Sequence, residues 1–282
     1  PSSLNSKGAS FTVKSNLDKP TKIAIIGGGL VGRLLAWRLA SKDNGIKITV
    51  FEKGPLSPAL SVSDKAAAFT AAAMISPMSE LVSSELEIFE LGRQSLNLWP
   101  TWLDELDCPQ HYHQQGSLVL AHPNDSGELR QFERDLSFKL KQPSTNDQDA
   151  FRVLNTRHQL TALEPSLSAH FHTGIYLPSE AHLDHYDVLD NLVSKSKSLG
   201  VSFIENASVD PDDSMLKGFS CIFDCRGTGL KQKGFRGVRG EVIRLECKEI
   251  SLKRPIRLMH PRYKLYAVPK PNHQFIIGAT EI

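Results

Sequence analysis

Residues 22–32 read KIAIIGGGLVG, and Glu52 stands twenty residues beyond Gly32. Ile23-Ala24-Ile25-Ile26 is a short apolar run of the kind that forms a buried parallel strand. Leu30, Leu34, Trp37 and Leu39 then recur at helical spacing up to Ser41, with Asn44-Gly45 as a stop. Ile46 to Phe51 reads as a second strand, so Lys22 to Glu52 has about the length of one βαβ unit. Gly27-x-Gly29-x-x-Gly32 falls at the first joint between strand and helix. Gly27 allows the tight turn, Gly29 lets the backbone approach a pyrophosphate, and Gly32 lets the helix pack closely on the strand. The helix start at Leu30 and Val31 offers unpaired N–H groups and a positive dipole end to phosphates. Glu52 is placed to accept from a ribose hydroxyl. A glycine turn that binds nothing is the competing reading; strand, helix, acid and spacing together favour a dinucleotide.

Beyond Glu52 the βα progression breaks off. A Pro/Ser-rich connection from Gly54 to Asp64 leads to Ala66-Ala67-Ala68 and Ala71-Ala72-Ala73-Met74, which also fits an Ala-rich helix start. A long helical pattern follows from about Ser84 to Leu106, with Ser84 and Glu87 as a capping box. Gly116 to Ala121 and Gly174 to Leu177 read as strands, with helices near Gly127 to Lys141 and His158 to Leu163, and Gln142 to Asp149 as a surface loop. Tyr186 to Leu199 reads as a helix stopped by Gly200, then Val201 to Glu205 as a strand and Cys221-Ile222-Phe223 as a buried one. Gly240 to Leu245, Leu265 to Val268 and Gln274 to Gly278 are strands without a long helix among them, which predicts a mostly antiparallel second region. A nicotinamide enzyme would continue with regular βα units. A chain that leaves the sheet and returns late suits a flavin enzyme with a second domain inserted into the nucleotide-binding one.

At this point the sequence resembles the D-amino-acid oxidase family of FAD-dependent oxidoreductases, within it the glycine oxidase branch associated with thiamine biosynthesis. The resemblance covers Lys22 to Ile282. It rests on the Gly27 to Gly32 fingerprint, Ala71-Ala72-Ala73-Met74, Leu163-Glu164-Pro165, Arg236-Gly237-Val238-Arg239-Gly240-Glu241, Tyr266-Ala267-Val268-Pro269 and Ile277-Gly278-Ala279-Thr280. It implies an α/β fold in which a Rossmann-like FAD-binding domain (21–104 and 180–230) is interleaved with a mostly antiparallel α+β substrate domain (105–179 and 231–282). Residues 1–20 are expected to be a tail. It also implies that Gly27, Gly29, Leu30, Val31, Gly32, Glu52 and Lys53 hold the nucleotide, and that Ala72, Ala73 and Met74 pass beside the flavin ring. Ala73 stands where relatives usually carry Gly. Val209 and Gly227 match positions that meet the nucleotide through the main chain, with ordinary strand and turn roles as the alternative.

Tyr266 matches a tyrosine that helps hold the substrate carboxylate, against a core aromatic as the plain alternative. Glu281 would face the substrate cavity and bear on substrate choice. The implied reaction is FAD-dependent oxidation of glycine or another small amino acid or amine to the imine, with oxygen as acceptor giving hydrogen peroxide, ammonia and a 2-oxo acid. A secondary-amine oxidase, a tRNA-modifying flavin enzyme and a flavin-binding fragment without turnover are the rivals. Relatives continue past Thr280 with an arginine for the carboxylate, a further sheet strand and a helix facing the flavin. The chain ends at Ile282, so the expectation is a C-terminally truncated fragment that binds FAD weakly, with an open sheet edge favouring self-association into a homo-oligomer.

Composition narrows the rest. Of 282 residues, 40% are apolar and 23% charged, as in a soluble globular protein. Thirty-three Lys plus Arg against 31 Asp plus Glu leave a net charge of +2, which gives no global field for nucleic acid. No apolar run approaches the roughly 20 residues needed to cross a bilayer. Pro1 to Pro20 has no apolar centre and does not read as an export signal, so a cytoplasmic address is the default. Four cysteines are too sparse for a disulfide framework and fit a reducing compartment. Cys221 and Cys225 lack a matching histidine pair, so no metal site is expected. His182-Leu183-Asp184-His185 reads as a surface turn entering a helix.

Overall fold

The computed structural model describes residues 21–42, 45–59, 65–141, 150–167, 169–230, 234–263 and 265–280. The first half of the chain forms β1 (Lys22–Ile26), α1 (Leu30–Lys42), β2 (Lys47–Phe51), β3 (Met74–Ile75), α2 (Pro77–Leu81), α3 (Leu86–Glu105), β4 (Tyr112–His113), β5 (Ser117–Ala121) and α4 (Ser126–Leu140). Then come β6 (Arg152–Leu154), α5 (Arg157–Leu163), β7 (Gly174–Leu177), β8 (Ala181–Leu183), α6 (His185–Ser198), β9 (Ser202–Ile204), β10 (Cys221–Asp224), β11 (Val242–Glu246), β12 (Ile256–Met259), β13 (Leu265–Lys270) and β14 (Gln274–Gly278).

The apolar run of β1 forms a strand buried on both faces. It pairs in parallel with β2 on one side and β10 on the other, in a four-stranded parallel sheet of order β10-β1-β2-β9. Ile23 and Ile25 join Ile48 and Val50 beneath Ala36 and Ala40 of α1, whereas Ala24 and Ile26 turn to the other face and pack with Phe51, Val209 and Leu216. The alternation expected of a strand thus meets a layer on each side. The Cys221-Ile222-Phe223 run is not buried as its apolarity suggested. It is an edge strand with Cys221 and Ile222 exposed, because among the described residues nothing pairs with its outer side.

A second sheet has seven strands in the order β11-β14-β13-β12-β5-β7-β6. Every pairing is antiparallel except β12 with β5, as the lack of a long helix among the strands of the last fifty residues predicted. One face carries Val119, Ala121, Ile175 and Leu177 against Leu129, Phe132 and Leu136 of α4; the other carries Leu118, Leu120 and Ile256 against Leu160 of α5. A small sheet, β3-β8-β4, joins the two halves: Met74 pairs with His182, and Tyr112 with Leu183. His182 to His185 is therefore not a surface turn but a buried strand running into α6. Lys270 at the end of β13 donates to the Leu183 carbonyl at 2.6 Å and ties the seven-stranded sheet to β8.

Helix α3 contains Pro100, which cannot donate to the carbonyl four residues back. That carbonyl, on Leu96, accepts instead from the Tyr112 hydroxyl at 3.2 Å. The helix starts at Leu86 with Glu85 as its N-cap and no side-chain capping bond. Ser84 does not form the predicted box because its amide belongs to the preceding turn, bonded to the Glu80 carbonyl. A capping box does form at α5, between Thr156 and Gln159. Helix α6 ends as expected at Gly200, whose φ is +87°. The expected tail, Asn44 and the loop 142–149 lie outside the described residues.

Candidate cofactor and substrate site

The glycines after β1 are required for different reasons. Gly27 has φ +105°, and a Cβ there would lie 2.6 Å from the Cys225 carbonyl oxygen. A Cβ on Gly32 would lie 1.9 Å from the Gly27 oxygen, so α1 can rest on the strand only with glycine there. Gly29 differs: the nearest protein atom to an added Cβ is Ala66 Cβ at 3.4 Å, an ordinary contact. The fold itself leaves that surface clear. The first intrahelical bond of α1 runs from Arg33 N–H to the Gly29 carbonyl at 3.0 Å. The amides of Leu30, Val31 and Gly32 therefore precede the ladder, and no acidic residue occupies the first turn. Unpaired amides at a helix start without an acid suit an anion.

Glu52 closes one side of this candidate cradle. One carboxylate oxygen accepts from the Gly28 amide at 2.5 Å and the other from the Gly54 amide at 3.1 Å. Lys53 is exposed beside it. The stretch after β9 runs alongside, with the Ala207 amide donating to the Glu52 carbonyl at 2.8 Å. Val209 is buried, its side chain in the core with Phe51, so only its main chain can face a nucleotide. Gly227, at φ +56°, is exposed in the turn after β10, two residues beyond Cys225, whose carbonyl confines Gly27.

The Ala-rich run forms a single 3-10 turn at Ala67–Phe69 and then extends into β3 instead of opening a helix. Ala73 sits at φ +57°, a conformation natural to glycine, and its carbonyl accepts from the Leu183 amide at 3.0 Å. Phe69 anchors the run, its carbonyl accepting from Tyr186 Oη at 2.7 Å and from the Arg244 guanidinium at 2.8 Å. Ala72 is buried against Val268 and Ile276, with Met74, Val242 and Tyr266 packed around them. The structure thus packs Ala72, Met74 and Tyr266 in one cluster, of which Met74 also lines the apolar cavity described next. Tyr266 Oη lies so near Gly278 that a Cβ there would be 2.8 Å from it, and burial pushes the phenol pKa up. Glu281 lies outside the described residues.

Two hollows flank this run. An apolar cavity of about 340 Å³ extends from Leu30 past Ala71 and Ala73 to Met74, closed by α3 and α6. On the other side a broad cleft of about 1670 Å³ is bordered by Thr70, Arg239 to Arg244, His260 to Tyr263 and Gly278 to Thr280. The sequence reading missed Arg244, Tyr186 and Arg33. Arg33 stands within the apolar stripe of α1, and a charge on such a stripe is the signal that could have found it. Among the described residues no group of three His, Cys, Asp or Glu side chains is placed to hold a metal. No described helix is long and apolar enough to cross a membrane.

A parallel sheet with a glycine turn at the end of its first strand, joined to a mixed sheet, is the architecture of a dinucleotide-binding protein. The family model for FAD-dependent oxidoreductases (DAO) matches residues 22–282, and the chain belongs to that family, whose members bind FAD. The chain is 32% identical over 267 residues to a protein of Rhizobium etli named as a thiamine biosynthesis oxidoreductase, ThiO. The match covers 93% of this chain and 71% of that protein. The fold is similar to the crystal structures of glycine oxidase from Geobacillus kaustophilus (TM-score 0.69, 21% identity, 93% of this chain and 72% of that one) and from Bacillus cereus (TM-score 0.68, 22% identity, 93% and 71%). The residues present fit the cofactor: the surface at Gly29 is clear, three leading amides of α1 face no acid, and Glu52 stands beside them.

Proposed function

We propose that the chain oxidises the C–N bond of a small amino acid or amine, with glycine foremost. The observation that carries this reading is the apolar cavity that runs from Leu30, at the proposed phosphate cradle, past Ala71 and Ala73 to Met74, which packs with Ala72 and Tyr266. The similarity to a protein named ThiO and to glycine oxidase folds supports it. In this reading residues 21–104 and 180–230 bind the cofactor and 105–179 and 231–282 shape the substrate pocket. Strands β1, β2, β9 and β10 of the parallel sheet all fall in the first set, and the seven strands of the mixed sheet all fall in the second.

FAD, when bound, supplies the acceptor for the hydride of the carbon that bears the amine, and oxygen is the proposed final acceptor, giving hydrogen peroxide. The imine is released to hydrolyse to a 2-oxo acid and ammonia. The protein's part is orientation. Gly27, Gly29, Gly32 and the amides of Leu30 and Val31 would hold the diphosphate and Glu52 the ribose, with Lys53, Val209 and Gly227 towards the adenosine. Ala72 and Ala73 would leave room for the ring with their small side chains, Met74 would lie beside it, and Tyr266 would donate to the substrate carboxylate. No general base is assigned, because placing the substrate carbon near its acceptor is the main requirement.

The test pairs a binding and a redox measurement. Gly29→Ala adds a methyl group that the protein tolerates and a bound pyrophosphate does not, so the variant should fold normally and purify without flavin. Anaerobic glycine added to the flavin-loaded wild type should bleach the flavin absorbance. Wild-type flavin content in Gly29→Ala would remove the cradle assignment, and a flavin that no amine in a panel bleaches would remove the oxidase reading.

A further inference from the structure

Arg33 is wholly buried, the fourth residue of α1, on the helix face that carries Ala36, Trp37 and Ala40 into the core. Its Nε donates to the Gly28 carbonyl at 2.6 Å, one terminal nitrogen to the Leu189 carbonyl at 2.9 Å, and the other to the Leu56 carbonyl. The Phe69 ring lies 5.2 Å from its central carbon. All these partners are neutral, and among the described residues no carboxylate oxygen comes within ion-pair distance of it. Asp190, Glu52 and Glu205 act on it only from further away, and burial draws its pKa down to about 10. Among the described residues, a positive charge is therefore enclosed beneath the glycine loop and answered at close range by carbonyl dipoles alone. Such a charge is costly to bury without a counter-charge, and an apolar side chain of similar volume would fill the space more favourably.

What explains a cation here is an anion that arrives later. Arg33 also joins the two loops that border the cradle, through Gly28 and Leu56, to α6 through Leu189. We propose that Arg33 is a positioning residue for the cofactor diphosphate: it holds the two loops in the binding shape, and the diphosphate completes its missing counter-charge. The inference rests on the reading of the cradle as the FAD site and assigns part of the affinity to a charge inside the helix rather than to the loop amides alone.

The test measures dissociation constants of FAD, ADP and adenosine for the apoprotein. ADP shares the diphosphate and lacks the flavin; adenosine lacks the charge. Arg33→Met should weaken FAD and ADP by about ten-fold or more and adenosine far less. Arg33→Lys, which keeps the charge with fewer donors, should recover most of the ADP affinity. Asp190→Asn, an exposed change that removes the strongest outside acid acting on Arg33, should tighten ADP by about two-fold and leave adenosine unchanged, with the gain shrinking at high salt. That variant and Arg33→Lys decide the matter if Arg33→Met does not fold. Parallel changes for ADP and adenosine would reduce Arg33 to a structural role and overturn the inference. If the wild type binds neither FAD nor ADP, the cradle reading falls and this inference with it.

Discussion

Acid should destabilise this protein through two imidazoles. His182 of β8 and His185 of α6 are 4% and 6% exposed. Burial first, and then the neighbouring Lys270 ammonium, hold both pKa values down to about 3. In the unfolded chain each histidine takes up its proton near pH 6.5, so between pH 6.5 and 3 the unfolded state binds more protons and stability falls as pH falls. At pH 5 the penalty is about 2 kcal/mol for each histidine and about 4 kcal/mol for both, a large part of the roughly 5–15 kcal/mol that holds a domain together. Glu180 works the other way. Burial raises its pKa against the bonds from Ser117 and Ser79, so acid protonates the native carboxyl first and offsets some of the loss. Replacing both rings with phenylalanine keeps their packing, including the stack of residue 182 on His113 at 4.8 Å, and leaves Glu180 in place. Urea unfolding at pH 7 and pH 5 should show the wild type losing about 4 kcal/mol more than the His182→Phe/His185→Phe variant. A difference under about 1 kcal/mol would mean that the buried rings are charged or hydrated in the native state, and the reasoning would fail.

Ala73→Gly should raise stability by about 0.5–1 kcal/mol in urea unfolding, because the left-handed φ of +57° is unfavourable for alanine and open to glycine; a loss of stability would show that the alanine methyl matters more than the backbone. Glu164→Gln should lower stability by about 3 kcal/mol, since Glu164 is fully buried and its carboxylate holds Arg254 Nε and the Lys253 amide, each at 2.9 Å. Adding Arg254→Met to it should restore much of the loss, and a double variant weaker than Glu164→Gln alone would refute the ion-pair account.

The parts of the fold legible in the sequence are those whose causes lie close together along the chain. The unit from β1 to Glu52 is such a case: strand, turn, helix and second strand pack on each other, Gly32 answers to the Gly27 carbonyl within the unit, and Gly27 answers to Cys225 just beyond the adjoining strand. The small sheet was not legible, because β3, β4 and β8 are two or three residues long and pair across gaps of about seventy to a hundred residues. Strand β12 was missed for a related reason. Arg257 interrupts its apolar pattern, and the partner that accounts for this charge, Glu80 at 2.7 Å, comes from α2. The apolarity of Cys221-Ile222-Phe223 says that a strand forms there; it does not say how many neighbours that strand has.

The site divides along the same line. Gly29 is legible because its purpose is local, and the structure adds that no protein atom demands glycine there. Ala73 is half legible: an alanine in a position where glycine is usual attracts notice, but only the backbone shows the positive φ that makes glycine the easier choice. Arg33 left only a faint signal, its place within the apolar stripe of α1. In a helical pattern a lone arginine reads as a solvated side chain, the ordinary state of such a residue. Its three carbonyl partners lie 5, 23 and 156 positions away, so the burial that makes it notable exists only after β2, the Leu56 loop and α6 have closed over α1. The local motif therefore marks the proposed phosphate cradle, while the charge beneath it is assembled by the tertiary fold.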